Sequence, residues 1–174
     1  MTTSISTERF TLRELKTNDA NQHYLDWFKQ TEINKYIASV PSCLADLSSY
    51  IEDNQANECT FLLGIFPHNS IQHIGNIRFN FVYHTQDKVE MGILIGEKSW
   101  RGKGVASEVI KACARFFNEQ YQTNQIILGV DSANVAAVKV YEKIGFKEKE
   151  KILIEAPEKI GLLMVWDLLE KTIK

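Results

Sequence analysis

Alternating apolar and polar positions mark the first predicted element, a half-buried β-strand over residues 9–15. Further along, segments rich in β-branched and aromatic residues are separated by polar turn sequences, which is the pattern of consecutive strands. The last two of these segments have the spacing of an antiparallel pair. The six predicted strands after the first lie at residues 59–66, 71–83, 88–95, 126–130, 146–154 and 160–168. The chain is therefore expected to contain about seven strands.

Five segments have the apolar spacing or the capping residues of helices. The first helix is expected to begin after the cap residues 17–19 and to carry Tyr24, Trp27 and Phe28. The final helix is expected to end at Gly145, because glycine readily adopts the left-handed conformation that stops a helix. The four helices after the first lie at residues 32–37, 44–55, 104–120 and 134–144.

The order of these elements indicates the fold class. It predicts an α/β (α+β) fold with a central mixed, mostly antiparallel sheet, flanked by helices, and a β-α-β crossover in its second half. The 174 residues contain no repeat and no linker rich in Pro, Gly or Ser. A single domain over residues 1–174 is therefore expected.

Composition limits the partners and the location. The formal net charge is −2, so no basic surface for nucleic acid is expected. No apolar run approaches the ~20 residues of a membrane span, and no membrane partner is expected. Residues 1–10 lack the basic region and apolar stretch of a signal peptide. We therefore expect a cytoplasmic protein.

The cysteines and histidines do not have metal-binding spacing. Cys43, Cys59 and Cys113 are too few and too scattered for a disulfide framework or a CxxC site. They are expected to be reduced and mostly buried, as in a cytoplasmic protein. The four histidines are equally scattered, so no metal site is expected.

The segment with the clearest chemistry is WRGKGVA at residues 100–106, which follows a predicted strand and opens a predicted helix. Gly102 and Gly104 allow positive φ and a close approach of a ligand to the backbone. Successive N–H groups at a helix N-terminus form an anion site, which the helix dipole strengthens. Arg101 and Lys103 add positive charge. These features predict a cradle for a pyrophosphate.

The segment has two other interpretations. A glycine-rich turn between a strand and a helix can be purely structural, because such turns are common. A nucleotide-hydrolysing site is the weaker alternative. No GK[ST] follows at the spacing of a Walker loop, and the segment is not GxGxxG.

The chain resembles the GNAT superfamily of N-acetyltransferases in four places. Residues 101–106, RGKGVA, resemble its R/Q-x-x-G-x-G/A signature, and VEMGILI at 89–95 resembles the strand before it. NVAAVKVYEKIGF at 134–146 is similar to the segment N-x-x-A/S-x-x-x-Y-E-K-x-G-F. TERFTLREL at 7–15 resembles the first segment of the branch that includes ribosomal-protein N-terminal (alanine) and spermidine acetyltransferases. Four motifs in this order identify the chain as a member of the superfamily.

The resemblance implies an acetyl-CoA-dependent N-acetyltransferase with the GNAT fold, in which a splayed strand pair holds the cofactor. It further implies a ternary complex in which a neutral primary amine attacks the thioester directly. Acetyl-CoA is the implied cosubstrate, and no metal is implied. The residues that correspond to the cofactor-binding positions are Ile93, Leu94, Ile95, Arg101, Gly102, Lys103, Gly104, Val105 and Ala106.

Three more residues have individual roles in this scheme. Tyr141 is the candidate acid beside the CoA sulfur, because a phenol with a pKa of ~10 stays protonated at neutral pH. The alternative is that Tyr141 is an ordinary core aromatic. Asn134 would cap its helix and hydrogen-bond the pantetheine arm. Glu90 is the candidate general base, because the attacking ammonium must lose a proton. Strand alternation also allows Glu90 to lie on the solvent face.

The acceptor amine is left open by the sequence. A small molecule such as a nucleotide-linked amino sugar is the first candidate, because residues 24–28 and 31–37 resemble members that acetylate such sugars. A protein N-terminus and a spermidine-type polyamine are the alternatives, and the former needs a groove for an extended peptide. A non-catalytic acyl-CoA-binding module is the third class of function. A homodimer is suggested by analogy with relatives.

Overall fold

The computed structural model describes residues 3–36, 40–154 and 159–169. Contacts between α-carbons group the chain into two compact units. The first unit holds Met1–Phe79 and Ile93–Val105, and the second holds Asn80–Gly92 and Ala106–Lys174. The single domain over residues 1–174 stays a prediction.

The strands form an eight-stranded sheet, in the order β1-β2-β3-β4-β5-β6-β8-β7. Their bounds are Ser4–Ser6 (β1), Phe10–Glu14 (β2), Thr60–Pro67 (β3), Gly75–Phe81 (β4), Lys88–Ile95 (β5), Gln125–Asp131 (β6), Lys147–Ile154 (β7) and Lys159–Asp167 (β8). Antiparallel pairing joins β1 to β2, β2 to β3, β6 to β8 and β7 to β8. The parallel pairing of β5 with β6 joins residues 88–90 to residues 125–127.

Five α-helices and three 3-10 turns connect the strands. The helices are Gln22–Trp27 (α1), Thr31–Asn34 (α2), Leu44–Ala56 (α3), Val105–Tyr121 (α4) and Val135–Ile144 (α5). The turns lie at Thr17–Asp19, Val82–His84 and Lys98–Trp100. The parallel strands β5 and β6 are joined through α4, which is the predicted β-α-β crossover.

The predicted fold class is confirmed, with eight strands in place of about seven. The additional strand is β1, which has three residues and is too short to show an alternating pattern. The β4 prediction began four residues early at Ile71, whose side chain is 99% exposed. Ser70 and Gln72 form a hydrogen-bonded turn there, a local alternative to strand pairing.

The predicted cap of the first helix was wrong. The side chain of Asn21 accepts a hydrogen bond from the Tyr24 N–H and starts α1, whereas residues 17–19 form a separate 3-10 turn. Asp19 in that turn instead binds both terminal nitrogens of Arg13 at 2.8 Å. The second helix ends at Asn34, and residue 37, where it was predicted to end, lies outside the described residues.

The aromatic segment of α1 belongs to the core of the first unit. Its side chains pack with apolar residues of α3 and β3, and Leu94 of β5 packs against this cluster. The buried members include Tyr24, Trp27 and Phe28, at most 7% exposed. The hydroxyl of Tyr24 accepts a hydrogen bond from the Asn76 amide. Most side chains of residues 24–28, one of the two segments that favoured an amino-sugar acceptor, therefore belong to the core.

The second unit has its own core along α4. The buried side chains of this helix recur at helical spacing: Val109, Ile110, Cys113, Ala114 and Phe117. Burial raises the pKa of the Cys113 thiol well above its ordinary value. Cys113 is therefore a core residue whose thiol stays protonated at neutral pH. Cys43 is exposed and Cys59 is half-buried, so the prediction that the cysteines are mostly buried was wrong.

His73 is a buried histidine within the aromatic cluster of the first unit. It is 2% exposed, and its ring contacts Tyr24, Trp27 and Phe66. Desolvation lowers the pKa of His73 to about 4, although the charge of Asp19 acts in the opposite direction. Its Nε2 has no hydrogen-bond partner within the described residues. The imidazole is therefore neutral at pH 7.

Lowering the pH from 7 to 5 is expected to reduce the free energy of unfolding by about 2 kcal/mol through His73. The unfolded imidazole takes up a proton near pH 6.5 and the folded one only near pH 4. This stability is therefore complete above pH 6.5 and is lost as the pH falls toward 4. Urea unfolding of the wild type and of His73→Phe at both pH values measures it. Equal losses in the two proteins would contradict the assignment to His73.

Candidate active site

The predicted phosphate loop follows β5 and leads into α4. A 3-10 turn over Lys98–Trp100 is followed by Arg101–Gly104, and the helix begins at Val105. Gly102 has φ +70° and Gly104 has φ +76°. Both glycines therefore use the left-handed conformation that other residues adopt with strain, as the sequence predicted.

The backbone N–H groups of this loop form an open donor set. Those of Gly102, Lys103, Gly104, Val105 and Ala106 donate to no residue within the described ranges. Gly102, Lys103 and Gly104 are exposed, and no side chain lies where a β-carbon on Gly102 would stand. Successive unpaired N–H groups at the start of a 17-residue helix attract an anion.

Arg101 fixes the start of the loop. Its Nε donates to the Ile95 carbonyl at 2.9 Å, and one terminal nitrogen donates to the Gly96 carbonyl and to Gln30 Oε1, each at 2.7 Å. The Gln30 amide donates to the same Gly96 carbonyl at 3.3 Å. The guanidinium therefore holds the end of β5 in addition to contributing positive charge.

Lys103 and Trp100 lie on the side of the loop that faces the β1–β2 turn. The Lys103 ammonium lies 5.7 Å from the centroid of the Trp100 ring. Phe10 contacts Trp100 edge to face at a centroid distance of 5.5 Å. Arg9 donates from Nη2 to the Lys103 carbonyl at 3.1 Å, which brings a further cation to the loop.

A cavity of about 620 Å³ lies beside the loop in the first unit. Its lining includes Arg9, Trp100 and His73, together with the carboxylates of Glu8 and Glu97. Two carboxylates disfavour a phosphate group through charge repulsion. The open N–H groups of the loop are therefore the better place for an anion.

The strand residues before the loop are half-buried. Ile93, Leu94 and Ile95 have intermediate exposure, and the Leu94 side chain packs on the core cluster. The Ile95 carbonyl already accepts from Arg101. The Leu94 carbonyl lies 2.3 Å from the place of a β-carbon on Gly75, so only glycine fits there. Pantetheine contacts of these residues stay a prediction.

Asn134 caps α5, as predicted. Its Oδ1 accepts from the Ala137 N–H at 3.3 Å, and its own N–H donates to the Asp131 carbonyl at 2.8 Å. The Nδ2 group makes no hydrogen bond to a described residue. Because Asn134 is half-buried, this NH₂ group can serve a ligand carbonyl while the cap stays intact.

Tyr141 lies on α5, near its C-terminal end. Its ring packs 5.7 Å from that of Phe146, and Phe146 in turn packs 5.6 Å from Trp166. Gly145, with φ +133°, ends the helix as predicted and donates its N–H to the Tyr141 carbonyl. Burial raises the pKa of Tyr141 to about 12. The phenol oxygen has no hydrogen bond within the described residues, so it is a protonated donor without a described protein acceptor.

Glu90 lies on the face of β5 opposite to the buried Val89 and Met91. Its backbone pairs with Ile127 of β6 in the parallel register. The Glu90 side chain is exposed. An exposed carboxylate can accept a proton, directly or through water, and its role as base stays a prediction.

Arg9, Gln30 and Gly96 are residues of the loop environment that sequence reasoning missed. A β-carbon on Gly96 would lie 1.9 Å from the Trp27 ring, so this glycine lets α1 pack against the end of β5. The first two contact the loop from 94 and 71 residues away. Only TERFTLREL, which includes Arg9, could have indicated one of them.

Comparison with known proteins now identifies the class of enzyme. The family model described as the acetyltransferase (GNAT) domain matches residues 9–147. The chain belongs to the GNAT acetyltransferase family, which confirms the resemblance found in the sequence. It is an acetyl-CoA-dependent N-acetyltransferase.

Individual relatives are distant in sequence and close in fold. The chain is 24% identical over 136 residues to the "Probable spermine N(1)-acetyltransferase" of Bacillus subtilis subsp. natto, covering 75% of this chain and 84% of the relative. A Vibrio cholerae spermidine N-acetyltransferase solved with CoA and spermine is 19% identical, with a TM-score of 0.78 and 90% and 94% coverage. A ribosomal-protein-serine acetyltransferase candidate from Vibrio cholerae is 17% identical, with a TM-score of 0.81 and 95% and 97% coverage.

Among the described residues, no group of three or more His, Cys, Asp or Glu side chains is arranged to hold a metal ion. No helix in the described part of the chain is long and apolar enough to cross a membrane.

Proposed function

We propose that this chain transfers an acetyl group from acetyl-CoA to the primary amine of a small molecule. The loop from Arg101 to Ala106 binds the pyrophosphate of the cofactor. The observation that carries this assignment is the series of backbone N–H groups that donate to no described residue. Together with two glycines at positive φ, they match the requirements of a phosphate group.

The chemical roles follow from the protonation of each group. Acetyl-CoA supplies an activated thioester carbonyl, which a neutral amine can attack. Glu90 accepts the proton that the ammonium must lose before it becomes a nucleophile. Tyr141, which stays protonated, donates a hydrogen bond to the sulfur as negative charge develops there. Asn134 binds the pantetheine arm through its NH₂ group.

The acceptor is best tested among small amines. A polyamine is supported by the curated relative, whose printed name refers to spermine, and by the spermidine enzyme of similar fold. A nucleotide-linked amino sugar remains the candidate from the sequence, although the aromatic residues of the first segment that favoured it, residues 24–28, are core. A protein N-terminus is the third candidate, supported by the fold of a chain named for ribosomal-protein acetylation.

The test is an acceptor panel in which release of the CoA thiol from acetyl-CoA is followed colorimetrically. It contains spermine, spermidine, nucleotide-linked 3-amino and 4-amino sugars, and peptides that begin with Ala, Ser or Met. Saturable turnover of a polyamine or an amino sugar, with the peptides silent, is expected. Turnover of a peptide alone would overturn the small-molecule assignment. Failure of acetyl-CoA to bind in calorimetry would overturn the whole proposal.

Glu90→Gln is expected to lower kcat/KM for the amine about tenfold at pH 7.5, because the ammonium loses its proton acceptor. The effect is modest because the exposed carboxylate can be replaced in part by water. The loss should shrink as the pH rises toward the pKa of the amine, where the neutral form needs no base. Steady-state rates from pH 6.5 to 10 measure it. A loss that is constant over this range would contradict the assignment as base.

A further inference from the structure

We propose that Arg9 is a positioning residue of the phosphate loop, which orients the Lys103–Gly104 peptide so that the Gly104 N–H serves the cofactor. The inference rests on the proposed function, because it takes the loop as the pyrophosphate site. It adds a residue from the turn between β1 and β2, far from the loop in sequence.

The Arg9 side chain contacts the loop and the Phe10 ring, and its backbone is hydrogen-bonded separately. Its Nη2 lies 3.1 Å from the Lys103 carbonyl oxygen, and its guanidinium carbon lies 4.9 Å from the centroid of the buried Phe10 ring. Its own carbonyl accepts from the His68 N–H at 3.1 Å. The contact with Lys103 therefore joins the turn between β1 and β2 to the loop.

The direction of the Gly104 N–H follows from the planarity of the peptide bond. In a trans peptide the carbonyl and the following N–H point in opposite directions. A donor that holds the Lys103 carbonyl therefore directs the Gly104 N–H away from the Arg9 guanidinium. Gly104 is exposed, and its N–H donates to no described residue, so it is available to an anion.

The loop needs such a contact because Lys103 lies between two glycines. Gly102 and Gly104 have no β-carbon to restrict their dihedral angles, so the Lys103–Gly104 peptide can rotate at little steric cost. Arg101 fixes the beginning of the loop through Ile95 and Gly96 but does not reach this peptide. Arg9 supplies the missing restraint in the middle of the loop.

The charge of Arg9 and its hydrogen bond can be separated by substitution. Lysine keeps the charge and a donor but lacks the planar guanidinium. Glutamine keeps an N–H donor without charge, and alanine removes both. If the hydrogen bond orients the peptide, Arg9→Lys and Arg9→Gln should each retain more cofactor affinity than Arg9→Ala.

The experiment measures the dissociation constant of CoA by calorimetry, and steady-state rates with acetyl-CoA and with acetyl-pantetheine, which has no pyrophosphate. Arg9→Ala is expected to raise the dissociation constant of CoA and the KM of acetyl-CoA about tenfold, with kcat within twofold of wild type. The kcat/KM for acetyl-pantetheine should stay within twofold. Arg115→Ala, on an exposed position of α4, is the control for loss of one positive charge and should change none of these values.

Three outcomes would overturn the inference. One is an unchanged CoA affinity in Arg9→Ala, and another is an equal loss with acetyl-pantetheine, which would indicate general damage to the fold. If Arg9→Ala does not fold, judged by its thermal transition, it is replaced by Arg9→Met, which has a long side chain without a donor, and wild-type affinity in a folded Arg9→Met would also overturn the inference. Absence of CoA binding by the wild type is distinguishable, because it removes the proposed function itself.

Discussion

Tyr141→Phe is expected to lower kcat about 50-fold and to leave the KM of acetyl-CoA within threefold of wild type. The substitution keeps the ring that packs on Phe146 and removes only the hydroxyl. A hydrogen bond to a charged atom contributes about 1.5–3 kcal/mol, and 50-fold in rate corresponds to about 2.3 kcal/mol. The loss should appear in kcat because sulfur gains negative charge only as its bond to the acetyl carbon breaks.

The raised pKa of Tyr141 decides how the phenol acts. A thiolate whose conjugate acid has a pKa of about 8.5 is too weak a base to remove a proton from a phenol of pKa about 12. Tyr141 therefore stabilises the departing sulfur by hydrogen bonding, and solvent protonates the thiolate after release. The wild-type kcat should accordingly show no alkaline decline up to pH 10. A decline near pH 9 that disappears in Tyr141→Phe would contradict this assignment.

Local chemistry explains which parts of the site could be predicted from the sequence. Positive φ at Gly102 and Gly104, the Asn134 cap and the Gly145 stop each depend on a residue and its near neighbours. Competing local signals explain one error, because Asn21 and residues 17–19 both have capping chemistry and Asp19 is engaged by Arg13. A few neighbouring residues of sequence could not show which of these two caps begins the helix.

Contacts between distant segments could not be predicted in this way. The Arg9 and Gln30 contacts with the loop depend on how the hairpin and α1 pack, and neither segment carries a spacing that refers to residues 101–104. The burial of His73 could not be predicted either. Polar turn residues precede it in the sequence, whereas its ring lies among three aromatic side chains in the structure. The acceptor depends on the same kind of tertiary information, and for that reason the sequence left several amines open.

Gly104→Val is expected to raise the dissociation constant of CoA and the KM of acetyl-CoA at least 30-fold. At φ +76° an L-residue has about 1–2 kcal/mol of strain, and a β-branched side chain has more. The nearest protein atom to a new β-carbon is Arg9 Nη2 at 3.8 Å, so no collision with the protein is expected. The side chain would add bulk where a phosphate must approach the backbone closely.

Two variants separate the causes of this effect. Gly104→Asn should lose less affinity than Gly104→Val, because asparagine tolerates positive φ, and the difference between them measures strain. Gly129→Ala, where a β-carbon would meet Ile152 at an ordinary 3.6 Å, is the matched control and should bind CoA as wild type does. Calorimetry with CoA and the thermal transition of each variant provide the measurements. Wild-type affinity in a folded Gly104→Val would exclude residues 101–106 as the pyrophosphate site, since the new side chain would stand where the phosphate must approach the backbone.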